Sequence, residues 1–481
     1  MRYHNHVPGY YVENFGCRAT QADGAAIERQ FEEHGLARVA APAEASVVVI
    51  NSCTVTAAAD QDARAAIRRV QRQNPDARIV VTGCYAQRAP EEIASLPGVS
   101  LVIGNSHKHE LAQIFSASQF GASRASEGSV GFIPLASLNP ESRKPDAGIF
   151  VSDIFAHTEL LAAPVFDAAN ERTRPNLKIQ DGCDNRCSFC VIPYVRGQNR
   201  SLAPDRILRE IQSLVDSGYK EVVISGINLG RWGRDLLWGG RPRPPIAESQ
   251  RLTFEDLIRF ILAETSLEKL RISSIEPMDW SDELISLVAS SPRIAKHAHV
   301  PMQSGSDSVL RRMHRKYRPW HYREKIEKIR AALPHAAIGA DVMVGFPGET
   351  DAEFEATRRM IEDLPFTYLH VFTYSARPGT PAASMPQQVP VHVARERNRT
   401  LRELAAAKKL AFMRNFLGKK LDVITLNVTG EERGIPFTET LTDNYLKLRL
   451  SGRHEPNQWL SAEVEDVING ALTGSPEALP A

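Results

Sequence analysis

The chain has 481 residues and a mass of 53.3 kDa, and domains of about 150 residues would divide it into roughly three. Hydrophobic residues make up 43% and charged residues 24% of the sequence, a globular composition that excludes a largely disordered chain. The net charge of +1 excludes a uniformly basic nucleic-acid-binding protein but leaves room for locally basic surfaces.

The expected compartment is the reducing cytoplasm. No apolar run reaches the roughly 18 residues that a membrane span needs, so we expect no membrane association. The N-terminal segment MRYHNH has no apolar core and does not resemble a secretory signal. Six cysteines in 481 residues are too few for a disulfide scaffold, and in the cytoplasm spaced cysteines indicate metal or redox chemistry.

Strand and helix patterns alternate through the first hundred residues. Short β-branched runs predict strands, and longer amphipathic segments between them predict helices. The predicted strands are 10–15, 46–50, 78–81 and 100–103, and the predicted helices are 20–34, 56–73 and one from residue 90. We therefore predict an N-terminal α/β domain over 8–115, built on a parallel sheet.

The segment 116–170 loses this periodicity and is predicted to be a linker or insertion. Alternation then resumes over 171–405, and the proline-rich segment 238–250 is predicted to be an inserted loop. The predicted strands here are 176–180, 221–225, 269–275, 295–300, 338–344 and 368–374. Six βα units favour a partial (β/α)6 barrel, with an open doubly wound sheet as the alternative.

The C-terminal region changes character. A long basic helix is predicted over 391–417, and period-2 alternation predicts strands at 421–428, 445–450 and 460–467. We expect a small all-β barrel within a domain at 406–475. The overall fold class is therefore α/β with a C-terminal all-β module.

Three closely spaced cysteines carry the strongest chemical signal. Cys183, Cys187 and Cys190 form a C-x3-C-x2-C motif directly after the first strand of the central domain. Three thiolates in so short a loop can hold one iron–sulfur cluster and leave one iron of a four-iron cluster without a protein ligand. The alternatives are a zinc site that lacks its fourth ligand, or three unrelated thiols.

The other three cysteines share a structural context. Cys17, Cys53 and Cys84 each follow a predicted strand of the N-terminal domain. If these strands are parallel neighbours, the three thiols lie at one edge of the sheet and can hold a second cluster. The alternative is that they are inert, buried cysteines.

At this point the sequence resembles a known family. The run from Asp181 to Gly197 resembles the signature of radical S-adenosylmethionine (SAM) enzymes, and the C-terminal segment resembles the RNA-binding TRAM domain. The segments around the first three cysteines resemble the methylthiotransferase group of that family, and the resemblance covers about 10–115 and 170–470. The segments that carry it are NFGCRATQADG, VINSCTVTAAAD, VTGCYAQ, SGINLGRWG, RISSIEP, HVPMQSGSDSVLRRMHRKY, DVMVGFPGET and TYSARPGTPAA.

The resemblance implies two 4Fe–4S clusters and two SAM molecules per turnover. The cluster on Cys183, Cys187 and Cys190 would be the catalytic one, cleaving SAM to methionine and a 5′-deoxyadenosyl radical. The cluster on Cys17, Cys53 and Cys84 would carry the sulfur that is inserted. The protein would bind, orient and shield these reactants.

The resemblance also places SAM contacts at the carboxyl ends of the barrel strands. The alternative for each of these residues is ordinary packing or turn formation at the barrel mouth. The predicted cofactor-binding residues are Gly226, Asn228, Ser274, Glu276, Gln303, Ser304 and Asp341.

The residues after Cys53 bear on the substrate. Thr54-Val55-Thr56 resembles the group that modifies N6-threonylcarbamoyladenosine next to the tRNA anticodon, adding methylthio at carbon 2. The alternatives are N6-isopentenyladenosine in tRNA and, less favoured, an aspartate of a ribosomal protein. Arg68 and Arg69 could pair with a carboxylate-bearing substrate, although a solvated helix face is the simpler interpretation.

Two basic segments favour a tRNA anticodon stem-loop as partner. Residues 395–420 contain nine basic residues against two acidic ones, and a second group comprises Arg311, Arg312, Arg315, Lys316 and Arg318. Phosphate contacts dominate RNA affinity, so such segments are candidate contact surfaces. The reaction would also require an electron donor, such as flavodoxin or ferredoxin, and a sulfur source. The competing class is a non-catalytic RNA-binding protein with structural metal.

Overall fold

The computed structural model describes residues 8–120, 147–157, 160, 164–165, 174–236, 252–432 and 434–477. The predicted insertion 238–250 and most of the predicted linker 116–170 lie outside these residues. The chain forms two compact units. The first comprises the residues up to 163 together with 182–184 and 191–198, and the second comprises the remainder.

The first unit is built on a parallel sheet with the strand order β2-β1-β3-β4-β5-β6. Its strands are β1 (Gly9–Asn14), β2 (Ala37–Arg38), β3 (Val47–Ser52), β4 (Arg78–Gly83), β5 (Val99–Gly104) and β6 (Gly148–Phe150). Its helices are α1 (Arg18–Glu33), α2 (Ala57–Gln73), α3 (Cys84–Arg88), α4 (Pro90–Ala94), α5 (Leu111–Phe120) and α6 (Ile192–Arg196).

Apolar layers cover both faces of this sheet. Val48, Ile50 and Ile79 pack on one side with residues of α2, α3 and α4, and Val47 and Val49 pack on the other with residues of α1 and α5. Burial on both faces explains why β3 is a continuous apolar run. Strand order reverses between β1 and β3, and such a reversal opens a crevice at the carboxyl ends of the strands.

The second unit contains six parallel strands in the order β8, β10, β11, β12, β13 and β14. Pairing is continuous except between β11 and β12, which are joined by the bridges Leu270–Ile294 and Ser274–His299. The strands are β8 (Asn176–Asp181), β10 (Glu221–Gly226), β11 (Lys269–Ile272), β12 (His297–His299), β13 (Ala337–Val344) and β14 (Tyr368–Thr373), and the short strands β7 (Pro164–Val165) and β9 (Arg200–Ser201) pair antiparallel with β8.

Helices connect these strands as expected for βα units. They are α7 (Pro204–Asp216), α8 (Phe254–Glu264), α9 (Asp282–Ser290), α10 (Asp307–Arg312), α11 (Pro319–Ala332) and α12 (Asp351–Asp363), followed by α13 (Val391–Arg414). Along β13 the side chains of Ala340, Val342 and Val344 are fully buried, whereas Asp341 and Met343 are only partly buried. The sheet therefore has one face covered by apolar packing and an opposite, inner face that is more open.

The chain ends in a closed β-barrel in which the strands follow the order β15-β16-β17-β19-β18 and β15 also pairs with β18. Its strands are β15 (Lys420–Glu432), β16 (Ile435–Thr442), β17 (Lys447–Ser451), β18 (Trp459–Ile468) and β19 (Ala471–Pro476). No described helix is long and apolar enough to cross a membrane.

The predicted α/β class with a C-terminal all-strand module is confirmed. Among the described residues, the strands missed by the sequence patterns are mostly short or at an edge, such as β2, β6 and β9. The sequence patterns also missed β16 and β19, which alternate weakly, and α3, which is only five residues long.

A buried ion pair joins the closed barrel to the parallel strands. Arg271 on β11 donates to Glu221 on β10 at 2.7 Å and 3.2 Å, and both side chains are at most 1% exposed. The Arg271 guanidinium also donates to the backbone oxygens of Thr442 and Asp443 in the closed barrel. It lies 5.3 Å from the ring centroid of Tyr445. Burial alone would raise the pKa of Glu221, but Arg271 and Arg174 together outweigh burial and lower it.

Substitution of Glu221 by Ala should destabilise the second unit by about 3–5 kcal/mol, because Arg271 would be left as an uncompensated buried charge. Urea unfolding measures the change. The matched control is Glu324→Ala, which removes an exposed ion pair with Lys328 and should change stability little. Equal effects of the two variants would contradict the role assigned to the buried pair.

Candidate functional site

Three thiols of the first unit lie at the carboxyl edge of its sheet. Cys17 follows β1 and is the N-cap residue of α1, Cys53 follows β3, and Cys84 follows β4 as the first residue of α3. Because β1, β3 and β4 are adjacent parallel strands, their carboxyl ends place the three cysteines together. Cys17 and Cys53 also flank the point where strand order reverses.

Local geometry shows how close these thiols are. Gly16 has φ +116°, and a Cβ at this position would lie 2.5 Å from Cys53 Cβ and 3.0 Å from its Sγ. Burial raises the pKa of the Cys53 thiol to about 12, with further contributions from the nearby Cys84 and Cys17.

The donor set suits thiolate coordination of a cluster. All three cysteines are free thiols, with Cys53 and Cys84 buried and Cys17 exposed. The Asn105 side-chain amide lies 3.6 Å from Cys84 Sγ, and the Val55 backbone N–H lies 3.5 Å from Cys53 Sγ. Hydrogen bonds to ligating sulfurs stabilise a cluster and tune its potential. The residues therefore fit an iron–sulfur cluster.

Buried cations of the first unit add to this electrostatic environment. Asp23 accepts hydrogen bonds from Lys108 at 3.0 Å and from Arg196 at 2.9 Å, and all three side chains are 4% exposed or less. The charge of Arg196 offsets a small part of the rise in the pKa of Cys53 that burial causes. The sequence patterns did not single out Lys108 or Arg196, because their burial depends on the fold.

The loop with the other three cysteines has a constrained backbone. In the first unit, the Cys183 N–H donates to the Gly197 oxygen at 3.0 Å. Gly182 has φ +71°, and a Cβ there would lie 1.8 Å from the Gln198 oxygen, so only glycine fits. In the second unit, the Cys190 N–H donates to the Cys187 oxygen at 3.1 Å. None of the three cysteines is in a disulfide, and all three are partly exposed.

Arg315 contacts the Cys187 thiol. Its Nη1 lies 3.2 Å from Cys187 Sγ, and its Nη2 forms an ion pair with Glu276. Tyr317 holds the guanidinium from the other side, with Arg315 Nε donating to its hydroxyl at 3.3 Å. These side chains border a small cavity that Asn185, Arg231 and Asp279 also line. Glu276, predicted to bind SAM, thus lies beside the cysteine loop.

Other predicted SAM contacts lie at the carboxyl ends of the strands, with differing local roles. Gly226 ends β10, and a Cβ there would lie 2.8 Å from Gln180 Oε1, which also accepts the Asn228 N–H at 2.6 Å. Ser274 follows β11 and forms a bridge with His299 on β12. The structure supports their placement at the barrel mouth, and their contact with SAM stays a prediction.

The remaining predicted contacts belong to the fourth and fifth parallel strands. Gln303 has φ 64°, and its backbone N–H donates to the Asp341 oxygen at 2.8 Å. Ser304 is buried and its hydroxyl lies 3.1 Å from that of Thr357. The Asp341 carboxylate lies on the inner face and contacts His299 and His370, each at 3.2 Å. For these residues too, contact with SAM stays a prediction.

Ion pairs engage much of the predicted basic surface. Arg311 pairs with Asp307, Arg312 pairs with Glu353, and Arg318 pairs with Asp307, while Arg315 is buried. In α13, Arg397 is buried against Glu349 and Asp351. The residues that remain exposed on or after this helix are Arg395, Arg399, Arg402, Arg414, Lys419 and Lys420.

The segment after Cys53 is also fixed internally. Thr54 donates to Asp60 at 2.6 Å and accepts from Arg88 at 2.8 Å, whereas Val55 is exposed. Arg69 forms hydrogen bonds at 2.5 and 2.6 Å with both carboxylate oxygens of Glu13. The suggested pairing of Arg69 with a substrate carboxylate would therefore have to displace Glu13.

Family models match both units. Residues 9–104 match the model described as "Uncharacterized protein family UPF0004", and residues 177–361 match the Radical SAM superfamily. The first match contains Cys17, Cys53 and Cys84, and the second contains Cys183, Cys187 and Cys190.

Curated relatives are similar over most of the chain. The Bacillus subtilis protein named threonylcarbamoyladenosine tRNA methylthiotransferase MtaB is 37% identical, covering 92% of this chain and 90% of its own. The MtaB of Rickettsia prowazekii is 34% identical, covering 96% of each chain. A Mycobacterium ulcerans protein named tRNA-2-methylthio-N(6)-dimethylallyladenosine synthase is 33% identical, covering 92% of this chain and 76% of its own.

A solved structure supports the fold. The radical SAM methyltransferase TsrM from Kitasatospora setae matches with a TM-score of 0.53 and 15% identity, over 78% of this chain and 75% of TsrM. This likeness concerns the fold alone, whereas the identity to the curated relatives is high enough to show family. The chain belongs to the radical SAM tRNA methylthiotransferase family.

Proposed function

We propose that this enzyme transfers a methylthio group to carbon 2 of N6-threonylcarbamoyladenosine beside the anticodon of tRNA. The observation that carries the proposal is the presence of two separate sets of three cysteines, none of them in a disulfide. One set follows the first strand of the radical SAM region, and the other converges at the carboxyl edge of the N-terminal sheet. A generic radical SAM enzyme needs only the first set.

The radical SAM family implies SAM and 4Fe–4S clusters as cofactors. We assign one cluster to Cys183, Cys187 and Cys190 and the other to Cys17, Cys53 and Cys84. When bound, these groups supply the electron that cleaves SAM and the sulfur that is transferred. An external electron donor and a sulfur source complete the proposed cycle.

The contribution of the protein itself follows from its contacts. Gly182 allows the tight backbone approach that positions Cys183, and Arg315 holds the Cys187 thiol by a hydrogen bond. The Glu276 carboxylate next to Arg315 offers opposite charges in one cavity. Such a pair suits the ammonium and carboxylate groups of the methionyl part of SAM.

The substrate assignment draws on the relatives and on the exposed basic residues. Three relatives at 34% to 37% identity are named for threonylcarbamoyladenosine. The exposed arginines and lysines at 395–420, next to a closed β-barrel, offer phosphate contacts for RNA. A protein substrate would not need this surface.

The test is a defined reaction with anticodon stem-loops that carry threonylcarbamoyladenosine, isopentenyladenosine or unmodified adenosine. Nucleoside mass spectrometry should show a methylthio product from the first RNA. With an adenosine that carries deuterium at carbon 2, loss of the label in the product should identify that carbon as the site of transfer. A product from the isopentenyl RNA alone would replace the proposed substrate with the alternative. No product from any RNA, with SAM cleavage intact, would refute the tRNA assignment.

The two cysteine sets should separate SAM cleavage from sulfur transfer. Cys187→Ala should abolish SAM cleavage, because the first cluster loses a ligand. Cys53→Ala should retain SAM cleavage, lose methylthiolation and lower the iron content from about eight to about four per chain. Chromatography of 5′-deoxyadenosine and iron analysis measure these outcomes. Equal loss of SAM cleavage in both variants would contradict the division of roles.

Gly16→Ala should lower the iron content of the cluster site at Cys17, Cys53 and Cys84. The added Cβ would lie 2.5 Å from Cys53 Cβ and push the thiols of Cys17 and Cys53 apart. Gly35→Ala is a matched control: Gly35 also has positive φ, but nothing lies within 4 Å of a Cβ there. Iron and sulfide analysis after anaerobic reconstitution compares the two. Full iron loading in Gly16→Ala would count against the proposed thiol geometry.

A further inference from the structure

A row of ring and carboxylate side chains runs along the inner face of the parallel strands. His299 lies on β12, Asp341 on β13, and Tyr368, His370 and Phe372 on β14. Strand register pairs Asp341 with His370, and alternation along β14 places its three aromatic rings on one face. Of these residues, the predicted site included only Asp341.

Hydrogen bonds fix most of this row. Asp341 Oδ1 lies 3.2 Å from His299 Nε2 and 3.2 Å from His370 Nδ1. The Tyr368 hydroxyl lies 3.0 Å from His299 Nδ1 and 2.7 Å from His297 Nε2. Both ring nitrogens of His299 are therefore engaged within the protein, while Asp341 orients the ring of His370 through one nitrogen.

His370 is the open member of the row. Its side chain is 55% exposed, against 10% for His299. Within the described part of the chain, the contacts found for His370 involve Nδ1 and the ring faces, and none involves Nε2. Phe372, 48% exposed, lies beside it with ring centroids 6.5 Å apart. The inner face thus presents an oriented imidazole edge next to an apolar ring.

One end of the row is closed by protein. The rings of Tyr368 and His297 lie 6.0 and 4.6 Å from Tyr445 of the C-terminal barrel, measured between centroids. The opposite end, toward Phe372, is at the carboxyl ends of the strands, where Glu276 and Gln303 also lie. A group that enters from the reactive end of the strands therefore meets Phe372 and His370 before the closed end.

Threonylcarbamoyladenosine and isopentenyladenosine differ in the N6 substituent, which is the part that such a site would contact. A threonylcarbamoyl group carries a hydroxyl, amide N–H groups and a carboxylate, whereas an isopentenyl (dimethylallyl) group is a hydrocarbon. A neutral Nε2 accepts a hydrogen bond from a hydroxyl, and a protonated one donates to a carboxylate. An apolar substituent would bury Nε2 without a partner, which costs binding free energy.

We propose that His370 recognises the polar end of the N6 substituent through Nε2, with Asp341 as the positioning residue and Phe372 packing against the substrate. This specificity site rests on the proposed function, since it would explain how the enzyme selects threonylcarbamoyladenosine. The ligand class is a base whose N6 substituent bears hydroxyl and carboxylate groups.

The test measures RNA binding and turnover separately. Fluorescence anisotropy compares stem-loops with threonylcarbamoyladenosine and with unmodified adenosine on the cluster-loaded full chain. The wild type should prefer the modified RNA, and His370→Phe should lose that preference. Its kcat/KM for the modified RNA should fall about tenfold to a hundredfold, the size of one hydrogen bond to a charged or buried partner. His370→Gln, which keeps a polar edge, should recover part of the preference.

Controls separate this role from folding. His34→Phe changes an exposed histidine of the first unit and should leave the preference unchanged. Iron content should equal that of the wild type in all variants, because His370 is assigned to neither cluster. An undiminished preference in His370→Phe would overturn the proposal.

Two further outcomes are decisive. The ligand-capable atoms of His299, Asp341 and His370 lie within 4.8 Å of one another. A stoichiometric divalent ion lost on His370→Phe would make this a metal site and overturn the recognition role. If the wild type prefers the modified RNA through His370 but forms no methylthio product, the proposed function fails while the recognition site stands.

Discussion

The carboxyl ends of parallel strands decide where chemistry can take place in this protein. Each strand delivers the residue that follows it to the same edge of its sheet, so residues far apart in sequence meet there. In the first unit this brings together Cys17, Cys53 and Cys84. In the second unit the same arrangement places Gly226, Ser274 and Gln303 together at the carboxyl ends of the strands. The helices and apolar layers keep the strands parallel and so preserve these edges.

Buried charges form the second level of organisation. Arg271, Arg315 and Arg397 each sit in the interior with a carboxylate partner, and each connects segments distant in sequence. An arginine fork can satisfy a carboxylate and further acceptors at once, which suits such junctions. As a result, the number of basic residues in a segment overstates the charge available to RNA.

The sequence predicted the fold class and the grouping of the cysteines because both depend on local patterns. β-branched runs mark buried strands, and cysteines directly after them must lie at a sheet edge. Residues such as Arg315, Lys108 and His370 could not be predicted this way. Each is held by a carboxylate that is distant in sequence, and their neighbours in sequence give no sign of burial or exposure. The weakly alternating strands β16 and β19 were missed for a related reason, since barrel closure rather than pattern stabilises them.

The contact between the C-terminal barrel and the parallel strands has a consequence for the evolution of the enzyme. Tyr445 and the backbone oxygens of Thr442 and Asp443 lie at one end of the inner face, so the C-terminal barrel forms part of the wall there. A radical enzyme needs such a wall to keep solvent and stray C–H bonds away from its intermediates. The C-terminal barrel is thus not a detachable adaptor. Exchange for another domain would open this end of the inner face unless the new domain also supplied an aromatic ring in place of Tyr445 and hydrogen-bond acceptors for Arg271.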